Sequence, residues 1–420
     1  MEMKKTLKIL FNTSRILLGL VFVFSGFVKA IDPLGSAYKF SEYFSSVGLP
    51  EMHVLSLVMS FLLSGAEFLI GVALVTGVFF NLTIWTALFF MVFFTILTFL
   101  LAVFNPVSDC GCFGDAIKLT NWETFFKNII FSSLIAFLFL RRKQYKFNSS
   151  TWLQIVVTFL TIIICFGFSL YSYFHLPIID FMPYKTGTNI IENMIIPKNA
   201  PQDQFETHLI YKHKKSGLTR EFSMNNYPWQ DTVNWKWMET KTVLIKKGYT
   251  PPIHDFLISS PIGNNITDSI LSDTSNCFLF ISKNINKVNL KEFNEVMRIA
   301  SYCSATGKCK FYAITSSTKQ EVENIKKQYN LWFEFNSADE TTLKTMIRAN
   351  PGLILLKNGT IIGKWHYKDM HKVTFESDNF LAKNLNKIDR TKELQFSLNI
   401  FLGMGLIISI LWALSFYFKK

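Results

Sequence analysis

The segment around Cys110 and Cys112 carries the strongest chemical pattern in the sequence, Ser108-Asp109-Cys110-Gly111-Cys112-Phe113-Gly114-Asp115. Two cysteines two positions apart have Cα atoms at most about 7 Å apart in an extended chain, at or beyond the upper end of the disulfide range. Gly111 permits the bend that brings them together. A disulfide closed over so small a ring is strained, and a strained bond is more easily reduced than a structural one.

Three kinds of chemistry fit this pair of cysteines. Thiol–disulfide exchange would use the labile bond, whereas a structural clip would hold the same bond without exchange. A metal site would need further ligands, and no other Cys or His lies near in the sequence. The carboxylates of Asp109 and Asp115 are expected to raise the pKa of both thiols. The sequence therefore predicts a labile Cys110–Cys112 disulfide and no metal.

Three ionisable side chains lie in or directly next to the first two apolar runs. Glu67 is near the middle of the second run, where a carboxyl group is a candidate for a functional role such as proton handling. Arg15 and Glu67 differ in height by roughly 10 Å, which tilt and long side chains would close. The alternative is that Glu67 is a protonated packing residue or a hydrogen-bond donor between helices. Lys29 lies at the outer edge of its run and is expected to anchor the helix at the interface.

The other cysteines have less specific roles. Cys165 lies in an apolar run and is interpreted as an inert buried thiol. Cys303 and Cys309 flank a short loop that contains Gly307, and they are candidates for a local structural disulfide. Cys277 lies within a predicted strand.

The composition indicates a bilayer as the solvent of much of the chain. Half of the 420 residues are hydrophobic (50%) and 17% are charged, where a soluble protein carries about a quarter. A membrane helix needs about 20 mostly apolar residues. Six such runs occur, at residues 9–28, 54–80, 82–104, 122–140, 152–173 and 396–418. The first could be a signal peptide, but no convincing cleavage site follows it.

Basic residues predict the orientation. The amino-terminal tail, the segment 141–146 and the carboxy-terminal tail are rich in Lys and Arg, and all three fall on one side if all six runs cross. Such segments stay in the cytoplasm. We therefore expect a bacterial inner-membrane protein with both termini cytoplasmic and a periplasmic soluble domain. The net charge of +13 comes without an Arg-rich stripe, so no nucleic-acid partner is predicted.

Local signals predict the elements on either side of the loops. Thr120 and Glu123 form a capping box at the start of the fourth run. Residues 176–253 are interpreted as a β-rich extension in which Trp229, Trp235 and Trp237 form a packing cluster. From residue 254 the order of elements is β-α-β-α-β-α-β-β, with Asn358-Gly359 as the turn of the last hairpin.

This order resembles a thioredoxin-like fold. The proline before the final hairpin of that fold is usually cis and faces the redox site, and Pro351 occupies its place. The cysteine pair of a working thioredoxin would follow the first core strand, where this chain has Lys283-Asn284-Ile285-Asn286. The domain therefore lacks an attacking thiolate, and the resemblance leaves it a binding role near Asn350 and Pro351.

The first 140 residues resemble the DoxX superfamily, in particular the branch near the methylamine utilisation protein MauE and Bacteroidetes members with an appended outer domain. The resemblance lies in the cysteine loop together with Arg15, Gly19, Gly26, Lys29, Asp32-Pro33 and Glu67. It implies redox chemistry of thiols or sulfur compounds at the membrane. DoxX subunits are linked to thiosulfate oxidation by quinone, and MauE to the formation of disulfide-rich methylamine dehydrogenase.

The predicted architecture is a membrane α-helical bundle with an outer α/β thioredoxin-like domain. A DoxX/MauE-like four-helix core (1–140) is followed by a basic loop and a fifth transmembrane helix (141–175). The β-rich extension (176–253), the thioredoxin-like domain (254–389) and a sixth transmembrane helix with a short tail (390–420) complete the chain.

Two functions fit this architecture. In the first, the bundle is an oxidoreductase that passes electrons from outer thiols to a membrane quinone through Cys110 and Cys112. Glu67 handles protons, and Arg15 and Lys29 are binding residues. In the second, the bundle is an anchor and the cysteine pair a clip, and the thioredoxin-like domain binds a client protein near Pro351.

Overall fold

The computed structural model describes residues 2–107, 109–145, 150–246, 248–373, 375, 395, 399 and 403. Within these residues, five helices are long and apolar enough to cross a membrane. The amino-terminal region has six helices in all: α1 (Glu2–Ile31), α2 (Pro33–Ser46), α3 (His53–Thr76), α4 (Phe80–Phe104), α5 (Asn121–Arg141) and α6 (Thr151–Phe174). The first five predicted spans are confirmed. The sixth, 396–418, lies almost entirely outside the described residues.

One span ends earlier than predicted. The run 54–80 was expected to be a single helix, but α3 stops at Thr76 because Gly77 adopts a left-handed conformation with φ 78°. A left-handed glycine directly after the last helical residue is a common helix terminator. The next helix then starts at Phe80.

The segment between the first two spans contains a helix that was not predicted. Asp32 caps α2 by accepting a hydrogen bond from the Gly35 amide at 2.9 Å, and Pro33 is the first helical residue. An Asp cap followed by Pro is a recognised start signal. The segment is short and partly polar, however, so its apolar pattern alone does not reveal a helix. Ser60 of α3 donates to the Pro33 carbonyl at 2.7 Å and holds α2 against the bundle.

Glycines allow α1 and α3 to approach closely. A Cβ atom on Gly26 would lie 2.4 Å from the Phe68 amide nitrogen, and one on Gly71 would lie 2.4 Å from the Val23 amide nitrogen. Small residues at such contacts let helix backbones pack closely in a membrane.

Residues 189–256 form a separate compact unit. It contains α7 (Ile190–Met194) and an antiparallel sheet of order β2-β1-β3, formed by β1 (Gln204–His213), β2 (Thr219–Ser223) and β3 (Trp235–Lys246). The predicted tryptophan cluster is only partly correct. Trp235 packs against Phe222 at a centroid distance of 5.2 Å, but Trp229 and Trp237 are 62% and 53% exposed.

The remaining described elements build the predicted thioredoxin-like fold. They are α8 (Thr267–Leu271), β4 (Asn276–Ser282), α9 (Leu290–Thr306), β5 (Cys309–Thr315), α10 (Lys319–Tyr329), β6 (Phe335–Ser337), α11 (Glu340–Met346), β7 (Gly352–Lys357) and β8 (Thr360–His366). The strand order is β6-β5-β4-β7-β8, with β4 parallel to β5 and antiparallel to β7. The central strand β4 is almost wholly buried, as expected for a strand covered on both faces.

Two details of this domain were expected from the sequence. The Asn350–Pro351 peptide bond is cis. Cys303 and Cys309 form a disulfide with a Cα–Cα distance of 4.8 Å. Gly307 makes the connecting turn at φ 63°.

The close contact of α1 and α3 can be tested with a matched pair of glycine variants. Gly26→Ala should lower the free energy of unfolding by about 1–3 kcal/mol, because its methyl group overlaps the Phe68 backbone. Gly167→Ala in α6 is the control, since a Cβ atom there meets nothing within 4 Å. Thermal unfolding of both variants in detergent would measure the difference, and equal midpoints would contradict the close packing.

Candidate functional site: the cysteine loop and its cavity

The cysteine loop lies between α4 and α5 and turns sharply at Gly111. Gly111 has φ 66°, a conformation that glycine adopts without steric cost. The Gly114 amide closes the turn by donating to the Gly111 carbonyl at 3.0 Å. Cys110 and Cys112 are free thiols whose sulfur atoms lie 3.1 Å apart. A disulfide would require the sulfur atoms to move about 1 Å closer.

A buried polar cluster, formed by Ser25, Lys29 and Glu67, contacts the cysteine loop from within the helix bundle. The Lys29 ammonium group lies 2.8 Å from Glu67 Oε2 and donates to Ser25 Oγ at 2.8 Å. Lys29 also donates to the Cys112 carbonyl. Ser25 Oγ lies 2.7 Å from both Glu67 Oε2 and the Cys112 carbonyl oxygen. The single hydroxyl proton can therefore be donated to either acceptor.

This cluster corrects two expectations. Lys29 is 4% exposed and is the buried ion-pair partner of Glu67, not an interface anchor. Arg15 does not reach Glu67; its guanidinium donates to the Leu74 carbonyl and, at 2.8 Å, to the Val75 carbonyl. These carbonyl groups belong to the last turn of α3. Carbonyl groups there lack hydrogen-bond donors from their own helix and carry partial negative charge.

Side chains from α2 hold the first half of the loop. Lys39 pairs with Asp109 at 3.1 Å and with Glu42 at 3.0 Å. The Tyr43 hydroxyl donates to the Cys110 carbonyl at 2.7 Å. Burial raises the pKa of Tyr43, so it remains a donor at neutral pH.

A residue of the thioredoxin-like domain holds the other end of the loop. Arg348, preceding β7, lies 2.8 Å from Asp115 and 2.9 Å from Asp32. Its side chain is 5% exposed. Burial alone would lower the pKa of Arg348, but the two carboxylates raise it.

The pKa values of the two thiols move in opposite directions. The Cys110 thiol shares a hydrogen bond with Cys112 and is buried, and both effects raise its pKa. The same hydrogen bond, with the charges of Lys127 and Lys29, lowers the pKa of Cys112 to about 6. A thiol with this pKa is mostly thiolate at pH 7.

The expectation that Asp109 and Asp115 raise the pKa of both thiols is therefore wrong for Cys112. Asp109 is paired with Lys39 and Asp115 with Arg348, so each carboxylate charge is balanced by its own cation. The sequence shows the carboxylates, but it does not show which distant cations pair with them.

A cavity of about 460 Å³ opens directly beside the two sulfur atoms. This volume lies in the range of about 300 to 1,000 Å³ that is typical of small-molecule sites. Ser25, Lys29 and Glu67 line its polar part, while its apolar walls include Phe22, Phe89, Phe90, Phe93, Phe94 and Phe131. The cavity therefore joins a reactive thiol pair to a buried ion pair within an aromatic, membrane-embedded space.

Lys29 was singled out from the sequence, but its contact with Ser25 and the roles of Tyr43, Lys127 and Arg348 were not. Ser25 and Lys29 are four residues apart and share one helix face, a signal that could have placed them together. No comparable local signal exists for Tyr43 or Lys127. Arg348 lies 233 residues from Asp115, so only the fold brings them together.

The predicted binding residues of the thioredoxin-like domain contact their own domain. The Asn350 side-chain amide donates to the Asn284 carbonyl at 3.0 Å and accepts from the Asn284 amide at 3.2 Å. Pro351 is buried. Lys283, directly after β4, is buried and donates to the Tyr38 hydroxyl at 3.1 Å. Burial lowers the pKa of Lys283 to about 7.

The difference between the thiols predicts selective alkylation. In the reduced protein at pH 7, iodoacetamide should modify Cys112 well before Cys110, because the pKa of Cys112 is about 6 and that of Cys110 is raised. The rate should increase with pH through the pKa of Cys112. Fragment mass spectra of the peptide that carries both residues would measure how fast each cysteine is modified.

Two lysine variants make this test specific. Lys127→Met should slow the reaction at pH 7, since it removes a cation that lowers the pKa of Cys112. Lys118→Met is the control, because Lys118 is exposed and is not among the charges that lower the pKa of Cys112. Preferential labelling of Cys110 would contradict the assigned order of the pKa values.

Similar solved structures cover the thioredoxin-like part of the chain. A candidate protein disulfide isomerase from Bacteroides thetaiotaomicron is 15% identical, with 32% of this chain and 84% of that chain covered at a TM-score of 0.24. The carboxy-terminal domain of a candidate thiol-disulfide oxidoreductase from the same organism is 19% identical (26% and 81% covered, TM-score 0.23). A secreted disulfide oxidoreductase of Mycobacterium tuberculosis is 13% identical (26% and 80% covered, TM-score 0.21).

Family models match two other parts of the chain by sequence. No curated protein matches it. Residues 205–247, which include β2, β3 and all of β1 but its first residue, match a domain family of unknown function, DUF8463. Residues 7–141 match the family model of the methylamine utilisation protein MauE. The amino-terminal region, with the cysteine loop and the Lys29–Glu67 pair, is therefore similar to the MauE family.

Proposed function

We propose that this multi-pass membrane protein is a thiol–disulfide oxidoreductase that transfers electrons from thiols outside the cytoplasm to a lipid-soluble quinone. The observation that carries the proposal is that Cys110 and Cys112 line the aromatic cavity. A pair of thiols at the surface alone could exchange with clients. A pair that also borders a membrane-embedded cavity has access to a second, apolar reactant.

The proposed cycle balances two electrons and two protons. A client dithiol is oxidised to a disulfide while the Cys110–Cys112 disulfide is reduced to two thiols. The thiol pair then returns to the disulfide, and its two electrons and two protons pass to the acceptor. In the first step a low-pKa thiol is the better leaving group, which favours Cys112 as the sulfur released.

The cavity fits a quinone in shape and polarity. Eight Phe side chains line it, and a ring stacks favourably against such walls. Ser25 and Lys29 would offer hydrogen-bond donors to a carbonyl oxygen. When bound, a quinone supplies a two-electron, two-proton acceptor. The wider resemblance to the DoxX superfamily, whose members include subunits of quinone-linked thiosulfate oxidation, agrees with this acceptor.

The buried cluster can hold and move the proton. Glu67 accepts hydrogen bonds from Lys29 and Ser25, and the Ser25 hydroxyl also contacts the carbonyl of Cys112. Glu67, Ser25 and Lys29 thus form a continuous hydrogen-bonded route from the inside of the bundle to the cysteine loop. A carboxylate so placed suits a proton acceptor.

Two observations support an extracytoplasmic position for the cysteine loop. The basic tails and the basic loop after α5 fit a cytoplasmic location. The Cys303–Cys309 disulfide belongs to the domain that contacts the cysteine loop through Arg348, and structural disulfides persist in oxidising compartments. A bacterial periplasm is such a compartment.

Quinone reduction by the purified full-length chain tests the function. The protein in liposomes, supplied with dithiothreitol and decylubiquinone, should form quinol, measured by ultraviolet absorbance above the rate of the double variant Cys110→Ser, Cys112→Ser. Each single serine variant should also lose activity. Cys165→Ser and Cys277→Ser remove free thiols elsewhere and should remain active. Full activity without Cys110 or Cys112 would refute the proposal.

The role of Glu67 can be separated from its structural effect. Glu67→Gln leaves the Lys29 ammonium group buried without its counter-charge, which costs about 3–5 kcal/mol in stability. The double variant Lys29→Met, Glu67→Gln removes both charges and should recover assembly. If Glu67 moves protons, quinol formation should stay about 100-fold or more below wild type in that variant. Recovery of activity together with assembly would assign Glu67 to packing alone.

A further inference from the structure

The thioredoxin-like domain presents its proline face to its own membrane domain. This face is formed by the turn after β4, with Lys283, and by the segment Arg348–Pro351. The two parts are joined by the hydrogen bonds between Asn284 and Asn350. In thioredoxin-like folds this is the face beside the cis proline, where redox partners would bind.

The aromatic ring of Tyr38, from α2, lies among three cations of this domain. The ammonium groups of Lys283 and Lys344 are 5.6 and 5.1 Å from the ring centroid, and the Arg348 guanidinium is 5.5 Å away. Such distances allow cation–π attraction. Lys283 also donates to the Tyr38 hydroxyl, so the ring is bound at its face and at its polar end.

Arg348 makes the ionic part of the same contact. Its Nε atom lies 3.1 and 2.9 Å from the two carboxylate oxygens of Asp32, and its Nη2 atom lies 2.8 Å from Asp115. Asp32 also caps α2. One guanidinium group thereby joins the start of α2 to the end of the cysteine loop.

Asp115 is only three residues from Cys112, so the contact bears directly on the loop. We propose that the thioredoxin-like domain is an internal clamp whose positioning residue, Arg348, sets the conformation of the cysteine loop through Asp115. The domain makes this contact with the face that would otherwise bind a client. This opposes the non-catalytic alternative, in which a client occupies the groove near Pro351.

The significance of the clamp for electron transfer rests on the proposed function, but its test does not. The reduced thiols are alkylated with iodoacetamide in the full-length protein over a range of pH, without quinone or client. The plateau rate at high pH reports access to the ionised Cys112, and the midpoint reports its pKa. Arg348→Met and Asp115→Asn should each raise the plateau rate by about threefold to thirtyfold, as the loop is released.

Two further variants separate the clamp from a general loss of structure. The double variant Arg348→Met, Asp115→Asn should have a plateau alkylation rate no higher than that of the faster single variant. Both substitutions remove the same interaction, so their effects should not add. Lys364→Met is the matched control: Lys364 is 7% exposed and pairs with Asp180 at 2.6 Å, in the same domain but without contact to the cysteine loop. It should alkylate like wild type. A thermal unfolding midpoint close to that of the wild type in each variant shows that the domain is folded.

The outcomes decide the two proposals separately. Unchanged plateau rates in Arg348→Met and Asp115→Asn, or an equal increase in Lys364→Met, would overturn the clamp even if quinone reduction is observed. Faster alkylation in the two loop variants alone supports the clamp, even in a protein that fails to reduce quinone.

Discussion

The buried ion pair between Lys29 and Glu67 is the interaction on which the rest of the site depends. Charges in an apolar interior are stable only when they are paired and hydrogen-bonded. Here the pairing joins α1 to α3, and Lys29 also donates to Ser25 Oγ and to the Cys112 carbonyl. The depth of the cysteine loop is therefore fixed by an electrostatic requirement of the bundle. Gly26 lies next to Ser25 and allows the contact with Phe68, the neighbour of Glu67, so helix spacing and charge pairing are set together.

Three of the cations around the loop come from three separate elements. Lys29 belongs to α1, Lys39 to α2 and Arg348 to the thioredoxin-like domain. The charges of Lys39 and Arg348 balance the carboxylates of Asp109 and Asp115 at the ends of the loop. This leaves Lys29, together with Lys127, to act on Cys112. A loop whose sequence is acidic thus provides one thiol that ionises easily beside one that does not.

Local signals in the sequence predicted much of the architecture. The capping box at Thr120 and Glu123 is present in α5, and Asn358-Gly359 forms the β7–β8 hairpin. These features depend on neighbouring residues, so a single sequence carries them. Hydrophobic length located the helices, but it could not decide whether Arg15 or Lys29 pairs with Glu67, because depth estimates from apolar runs are too coarse. The contacts of Arg348 depend on the packing of distant parts of the chain, for which no local pattern exists.

The long sequence separation of Asp115 and Arg348 also bears on how the protein is made. A ribosome must add 233 residues after Asp115 before Arg348 exists, and domains generally fold as units during synthesis, amino-terminal ones first. The bundle can therefore insert and pair Lys29 with Glu67 while the end of its cysteine loop still lacks its guanidinium partner. The contact that holds the end of the loop forms only after the thioredoxin-like domain has folded, so biogenesis itself separates insertion of the thiol pair from its final conformation.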